Sequence, residues 1–149
     1  MGSRRGVAAV LPGLREKALH LDLSVTPGSV EVMRLIDFSP ARAWAIDAFG
    51  SERLTQAPLT APLEPKAACF RLDAGGRIGR HPATVAQILA VVEGRGWVSG
   101  ADGEPQAIGA GEAAFWDAGE EHETWTDDGL TAIVIEAEEL RPYEPRTLS

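Results

Sequence analysis

Three side chains carry most of the chemistry that the sequence offers: His81, Gln87 and His122. Two imidazoles and a side-chain oxygen, brought together, can hold a divalent metal ion. His81 closes the stretch Gly75-Gly76-Arg77-Ile78-Gly79-Arg80-His81, and Gln87 follows six residues later. Pro82 breaks the chain between them, so a tight turn can set them side by side. His122 comes from a second glycine-bounded stretch that opens at Gly111. The third histidine, His20, lies in a segment without pattern and reads as an exposed side chain.

The elements that must position these residues are short and β-like. Apolar or β-branched runs occur at 30–36, 67–72, 87–92, 113–116 and 130–137, with turn signals at 73–76, 94–96 and 101–103 between them. No 3.6-residue period is sustained. The pattern predicts an all-β sandwich or barrel. Alternation then assigns faces. If Gln87 points inward, so do Leu89 and Val91. Phe115 shares a face with Ala113, with Trp116 on the other side, and Thr124 shares the face of His122. Leu89, Val91, Phe115 and Thr124 are therefore the expected substrate-binding walls, and Trp97 is expected to close the barrel. Arg71 and Arg80 are placed near the mouth, where each is either an anion contact or a solvated strand-end charge.

Composition excludes several classes. The 149 residues make about one domain. A single cysteine, Cys69, rules out an intrachain disulfide and any CxxC chemistry. No apolar run reaches the roughly 18 residues of a membrane span, and a cytoplasmic location is expected. The formal charge is −8, and 96–140 holds twelve acidic residues and no Lys or Arg. No basic stripe or polybasic patch exists, so neither nucleic acid nor membrane is an expected partner. There is no G-x-S-x-G elbow, no Walker sequence and no glycine fingerprint opening a helix.

The two glycine-bounded stretches resemble the cupin motifs. The first signature, G-x5-H-x-H-x(3,4)-E-x6-G, meets Gly75, His81, Ala83, Gln87 and Gly94 at its spacing. The second, G-x5-P-x-G-x2-H-x3-N, meets Gly111, Asp117, Gly119, His122 and Thr126. The resemblance implies a single cupin jelly-roll β-barrel over 33–140, with an N-terminal extension at 1–32 and a tail at 141–149. It also implies a site in the barrel mouth and frequent pairing into homodimers, here through a strand at 33–36 and exposed tryptophans. Of the family's four metal ligands, His81 and His122 remain. Ala83 stands for the second histidine and Gln87 for the glutamate.

Metal is then expected on His81, Gln87 and His122, with zinc, nickel, copper, iron or manganese as candidates. Three protein ligands leave open positions, which suits catalysis better than structure. The expected function is a small-molecule cupin, a metal-dependent enzyme of oxygenase, isomerase or cyclase type. The competing expectation is a metal-free binding or sensing module, in which the same three residues hydrogen-bond a ligand directly. A Gln87→Glu replacement, which restores the missing charge, is expected to tighten metal binding if the amide is a ligand, and to weaken ligand binding if the amide instead donates a hydrogen bond to an anionic or carbonyl substrate.

Overall fold

The computed structural model describes residues 33–61 and 63–143. The expected extension at 1–32 and most of the expected tail lie outside the described residues. Eight antiparallel strands follow in order: β1 (Trp44–Ile46), β2 (Glu52–Pro58), β3 (Lys66–Pro82), β4 (Ala86–Ser99), β5 (Gln106–Gly109), β6 (Ala113–Trp116), β7 (Glu121–Trp125) and β8 (Leu130–Ala137). Among the described residues, no helix is long and apolar enough to cross a membrane.

The two long strands build the barrel. The first half of β3 pairs with β8, and its second half pairs with β7. The first half of β4 also pairs with β8, and its second half with β7. The pairing β3–β8–β4–β7–β3 therefore returns to its start, and a sheet closed in this way has no free edge along that circuit. β1 and β2 extend one side; β5 and β6 flank β4.

This closure corrects the two turns expected at 73–76 and 94–96. Both are bends inside continuous strands, where the chain passes from one half of the barrel to the other. Glycine serves the bend instead of ending the strand. Gly94 shows why: its φ is 81°, and a Cβ there would lie 2.3 Å from the Gly129 carbonyl oxygen. The strand expected over 30–36 is also corrected as far as it is described. Residues 33–36 belong to no strand, and Met33, Leu35 and Ile36 are exposed. The first edge strand is β1, and it pairs only with β2.

Register stacks the interior in layers. Leu72 pairs with Leu130, and Phe70 with Ala132, which pairs onward with Val91; Ala68 pairs with Val134, which pairs with Leu89. These residues are buried and form the core. Full burial of each large apolar side chain contributes about 1.5–3 kcal/mol. One register step beyond this apolar body the layer turns polar. Lys66 pairs with Glu136, Glu136 with Gln87, and Gln87 with Trp116, and all four are buried. Residues 83–85 join the end of β3 to the start of β4, so His81 lies at this same end of the barrel.

Candidate metal centre in the barrel mouth

β3 and β7 bring the two histidines together. His81 and His122 are direct Cα partners, and their ring centroids lie 4.4 Å apart at 54°. Both are 3% exposed. A register shift in β3 between Ile78 and His81 turns His81 inward after Ile78, with one extra residue between them.

Each ring is locked by its own backbone. His81 Nδ1 donates to the Gly79 carbonyl at 2.6 Å, and His122 Nδ1 to the Glu120 carbonyl at 3.1 Å. A carbonyl only accepts, so the proton sits on Nδ1 and the lone pair on Nε2. His81 Nε2 is buried with no hydrogen-bond partner. Burial lowers the pKa of both histidines, that of His122 to about 4, against the opposing pull of the backbone hydrogen bonds. His81 and Arg80 push His122 further down. Both imidazoles are thus neutral at physiological pH, the state that ligates metal.

Aromatic rings complete the pocket. Trp116 packs on His122 with centroids 4.5 Å apart. Phe49 stacks flat on His81, with centroids 4.2 Å apart and planes within 6°. Phe49 reaches this position from a 3₁₀ turn, Ala48–Gly50, with φ at 60°. Its carbonyl presses on β3 at Gly79, where a Cβ would collide with it. Ser51 Oγ accepts the Gly79 N–H at 3.0 Å and pins the turn there. Strained backbone held by close packing is typical of functional sites.

The remaining expected residues divide. Gln87 is buried in the mouth layer; its Nε2 lies 3.5 Å from Glu136 Oε1, and its Oε1 has no partner. Leu89, Val91 and Thr124 face the interior and are buried. Phe115 does not: it pairs with Ile88 on the outer face, half-buried, and Trp116 takes the inward place. The alternation was right and its phase inverted. Trp97 lies on the outside, stacked on Trp125 with centroids 6.2 Å apart. Arg71 lies away from the mouth, hydrogen-bonded to the Phe38 carbonyl. Arg80 flanks His81 but points outward, held by Ser99 Oγ and the Gly100 carbonyl.

The two histidine-bearing stretches are tied together at Ala83, the position that carries the second histidine in the first motif. The Ala83 N–H donates to the Glu120 carbonyl, and the Gly119 N–H to the Ala83 carbonyl. The methyl of Ala83 is buried. Among the described residues, no three of His, Cys, Asp or Glu converge to hold an ion. The donor types fit a divalent ion: two imidazole nitrogens with Nδ1 already anchored, and a buried amide oxygen without a partner.

Three residues of the interior were missed by the sequence reading. Glu136 and Lys66 were legible, since alternation puts Glu136 in phase with Ala132 and Val134, and Lys66 in phase with Ala68 and Phe70. Gln56 was legible in the same way from Leu54. It is fully buried between its register partners Trp44 and Phe70, and neither end of its amide has a partner.

This closed antiparallel barrel, with paired histidines at its mouth, agrees with the comparisons. Residues 68–137 match the family model of the cupin domain. The fold resembles a predicted oxalate decarboxylase from Thermotoga maritima, with a TM-score of 0.62 and 20% identity over 68% of this chain and 96% of that one. It also resembles the polyketide cyclase RemF from Streptomyces resistomycificus, with a TM-score of 0.63 and 22% identity over 79% and 88%. A RmlC-like cupin from Shewanella frigidimarina matches with a TM-score of 0.53 and 26% identity over 58% and 79%. No curated protein sequence matches the chain. Residues 68–137 form a cupin domain.

Proposed function

We propose that this protein is a small-molecule cupin in which His81, His122 and the Gln87 oxygen hold a divalent metal ion, and that it is an enzyme of oxygenase, isomerase or cyclase type. The observation that carries the reading is His81 Nε2: a buried, neutral nitrogen lone pair beside a second imidazole, with no partner in the protein. Leaving such a group unpaired costs about 1–3 kcal/mol, a cost that binding offsets. Two structural neighbours, a predicted oxalate decarboxylase and a polyketide cyclase, are in keeping with small-molecule chemistry.

When bound, the ion supplies Lewis acidity at the inner end of the mouth. The protein's own residues do the rest. Gly79 and Glu120 carbonyls hold the imidazoles in one tautomer. Phe49 and Trp116 shield their faces from water. Thr124, Leu89 and Val91 shape the interior beneath them.

Elemental analysis of protein purified without a metal-affinity tag tests the reading, together with titration of zinc, nickel and manganese into wild type and His122→Ala. The expected result is one ion per chain in wild type and its loss in the variant. No uptake near neutral pH, or equal uptake by both, sinks it.

Gln56 favours a second reading. Its unpartnered amide is fully buried on β2 beside Phe70 of β3, and suits direct hydrogen bonding to a neutral polar ligand. In a metal-free binding module, Gln56, Gln87 and His81 are the anchors. Ligand-induced thermal stabilisation that survives chelation of all metal would favour it. For assembly, the exposed Met33, Leu35, Ile36 and Phe38 support a homodimer joined through this segment; a monomer by light scattering at micromolar concentration refutes that.

A further inference from the structure

The position at which the first motif carries a glutamate holds Gln87, and the neighbour of that residue explains the exchange. Gln87 and Glu136 are Cα partners across β4 and β8, both inward and both buried. A carboxylate oxygen accepts, so the amide must turn its Nε2 toward it, as the 3.5 Å approach to Glu136 Oε1 shows. The Gln87 oxygen is then directed away from Glu136 and has no partner. On the other side of Glu136, its Cα partner on β3 is the buried Lys66. The row reads Lys66–Glu136–Gln87, with the acidic side chain flanked by a cation and an amide.

We propose that the carboxylate missing from the first motif has moved one strand over, to Glu136, and that Glu136 is the positioning residue that fixes the Gln87 oxygen toward the bound ion. The inference rests on the metal reading above and deepens it. It also changes the expectation for Gln87→Glu. A glutamate at 87 would face Glu136 at a distance where the two carboxylates repel, so that replacement alone does not restore the motif. Exchanging the pair does: Gln87→Glu with Glu136→Gln keeps the volume, the hydrogen bond and the net charge, and moves the carboxylate back to the motif position.

The test is titration of zinc by calorimetry and of cobalt by visible absorption into four proteins: wild type, Glu136→Gln, Gln87→Glu and the exchange variant, with thermal unfolding as the check on folding. Glu136→Gln should lose about tenfold or more in affinity, the usual effect of removing an outer partner of a ligand. It should also alter the cobalt spectrum while it unfolds near the wild-type temperature. The exchange variant should bind more tightly than wild type, and Gln87→Glu less tightly than the exchange variant. Equal zinc affinity in wild type and Glu136→Gln overturns the inference and leaves the metal reading standing, and an exchange variant no tighter than Glu136→Gln overturns it as well. Zinc held by the exchange variant and not by wild type overturns the metal reading and the positioning role of Glu136 with it. No zinc in any of the four overturns both.

Discussion

The two ends of the barrel treat polar groups in opposite ways. At the end away from the histidines, Thr126 donates its hydroxyl to the Arg95 carbonyl at 2.6 Å and accepts the Gly129 N–H at 2.9 Å. Its own N–H goes to the Gly76 carbonyl. Two of these hydrogen bonds tie the turn between β7 and β8 to the bends in β4 and β3, and the third closes the turn itself. At the mouth, His81 Nε2 and Gln87 Oε1 are equally enclosed and have nothing to bind. Polar atoms at the first end hold the chain; at the second they are held by the chain and kept available. Burial does not show that contrast, since Thr126 and His122 are 2% and 3% exposed.

The contrast is broken most severely at the structural end. Gly94→Ala places a side chain against the Gly129 backbone at a positive φ. A destabilisation of about 4 kcal/mol or more is expected, measured by denaturant unfolding; a loss under about 1 kcal/mol would show that the bend is not fixed by this contact.

Acid acts next, and at the mouth. His122 titrates near 4 in the folded protein against an ordinary 6.5. Between those values the unfolded chain takes up a proton that the native site refuses, so stability falls as pH drops from about 6.5 to about 4 and is unaffected by this group above 6.5. At about 1.4 kcal/mol per pKa unit, the full loss is roughly 3 kcal/mol. Unfolding of metal-free protein across this range should show it, and His122→Phe should reduce it to the share contributed by His81.

His122→Ala is expected to weaken metal binding about 100-fold, or about 2.7 kcal/mol, read by calorimetric titration. Thr126→Val should do the reverse. It costs about 2 kcal/mol of stability through two lost hydrogen bonds and leaves metal affinity unchanged. A change in affinity there would mean that the two ends are coupled. The smallest effect sharpens the rule: Gln56→Leu removes an amide without partners and should stabilise the protein by about 1 kcal/mol. A loss of stability would show that the amide serves the fold.

The limits of the sequence follow from the same architecture. His81, Gln87 and His122 were legible because motif spacing and strand register agree. Cys69 was legible as a buried thiol mid-strand. The glycines at 75 and 94 misled because one residue type serves both a turn and a bend, and only the closing pairs with β7 and β8 decide which. The phase of β6 was unreadable for another reason. Its four residues, Ala113 to Trp116, carry no polar marker, and pairing of Trp116 with Gln87 sets the face. Phe49 could not have been foreseen: it meets His81 from a turn 32 positions earlier in the chain, through backbone geometry that no local pattern announces.

The sharing of β3 and β4 between both halves of the barrel has a consequence for how the domain comes apart. Neither half can open while the other stays closed, because each long strand would have to be torn at its glycine bend. The amides of β3 and β4 should therefore exchange with solvent deuterium only through global unfolding. The short outer strands β1, β5 and β6 can detach first, at lower free energy. His81 and Gln87 sit on the two strands that let go last, so their backbone positions outlast the loss of Trp116, which leaves with β6.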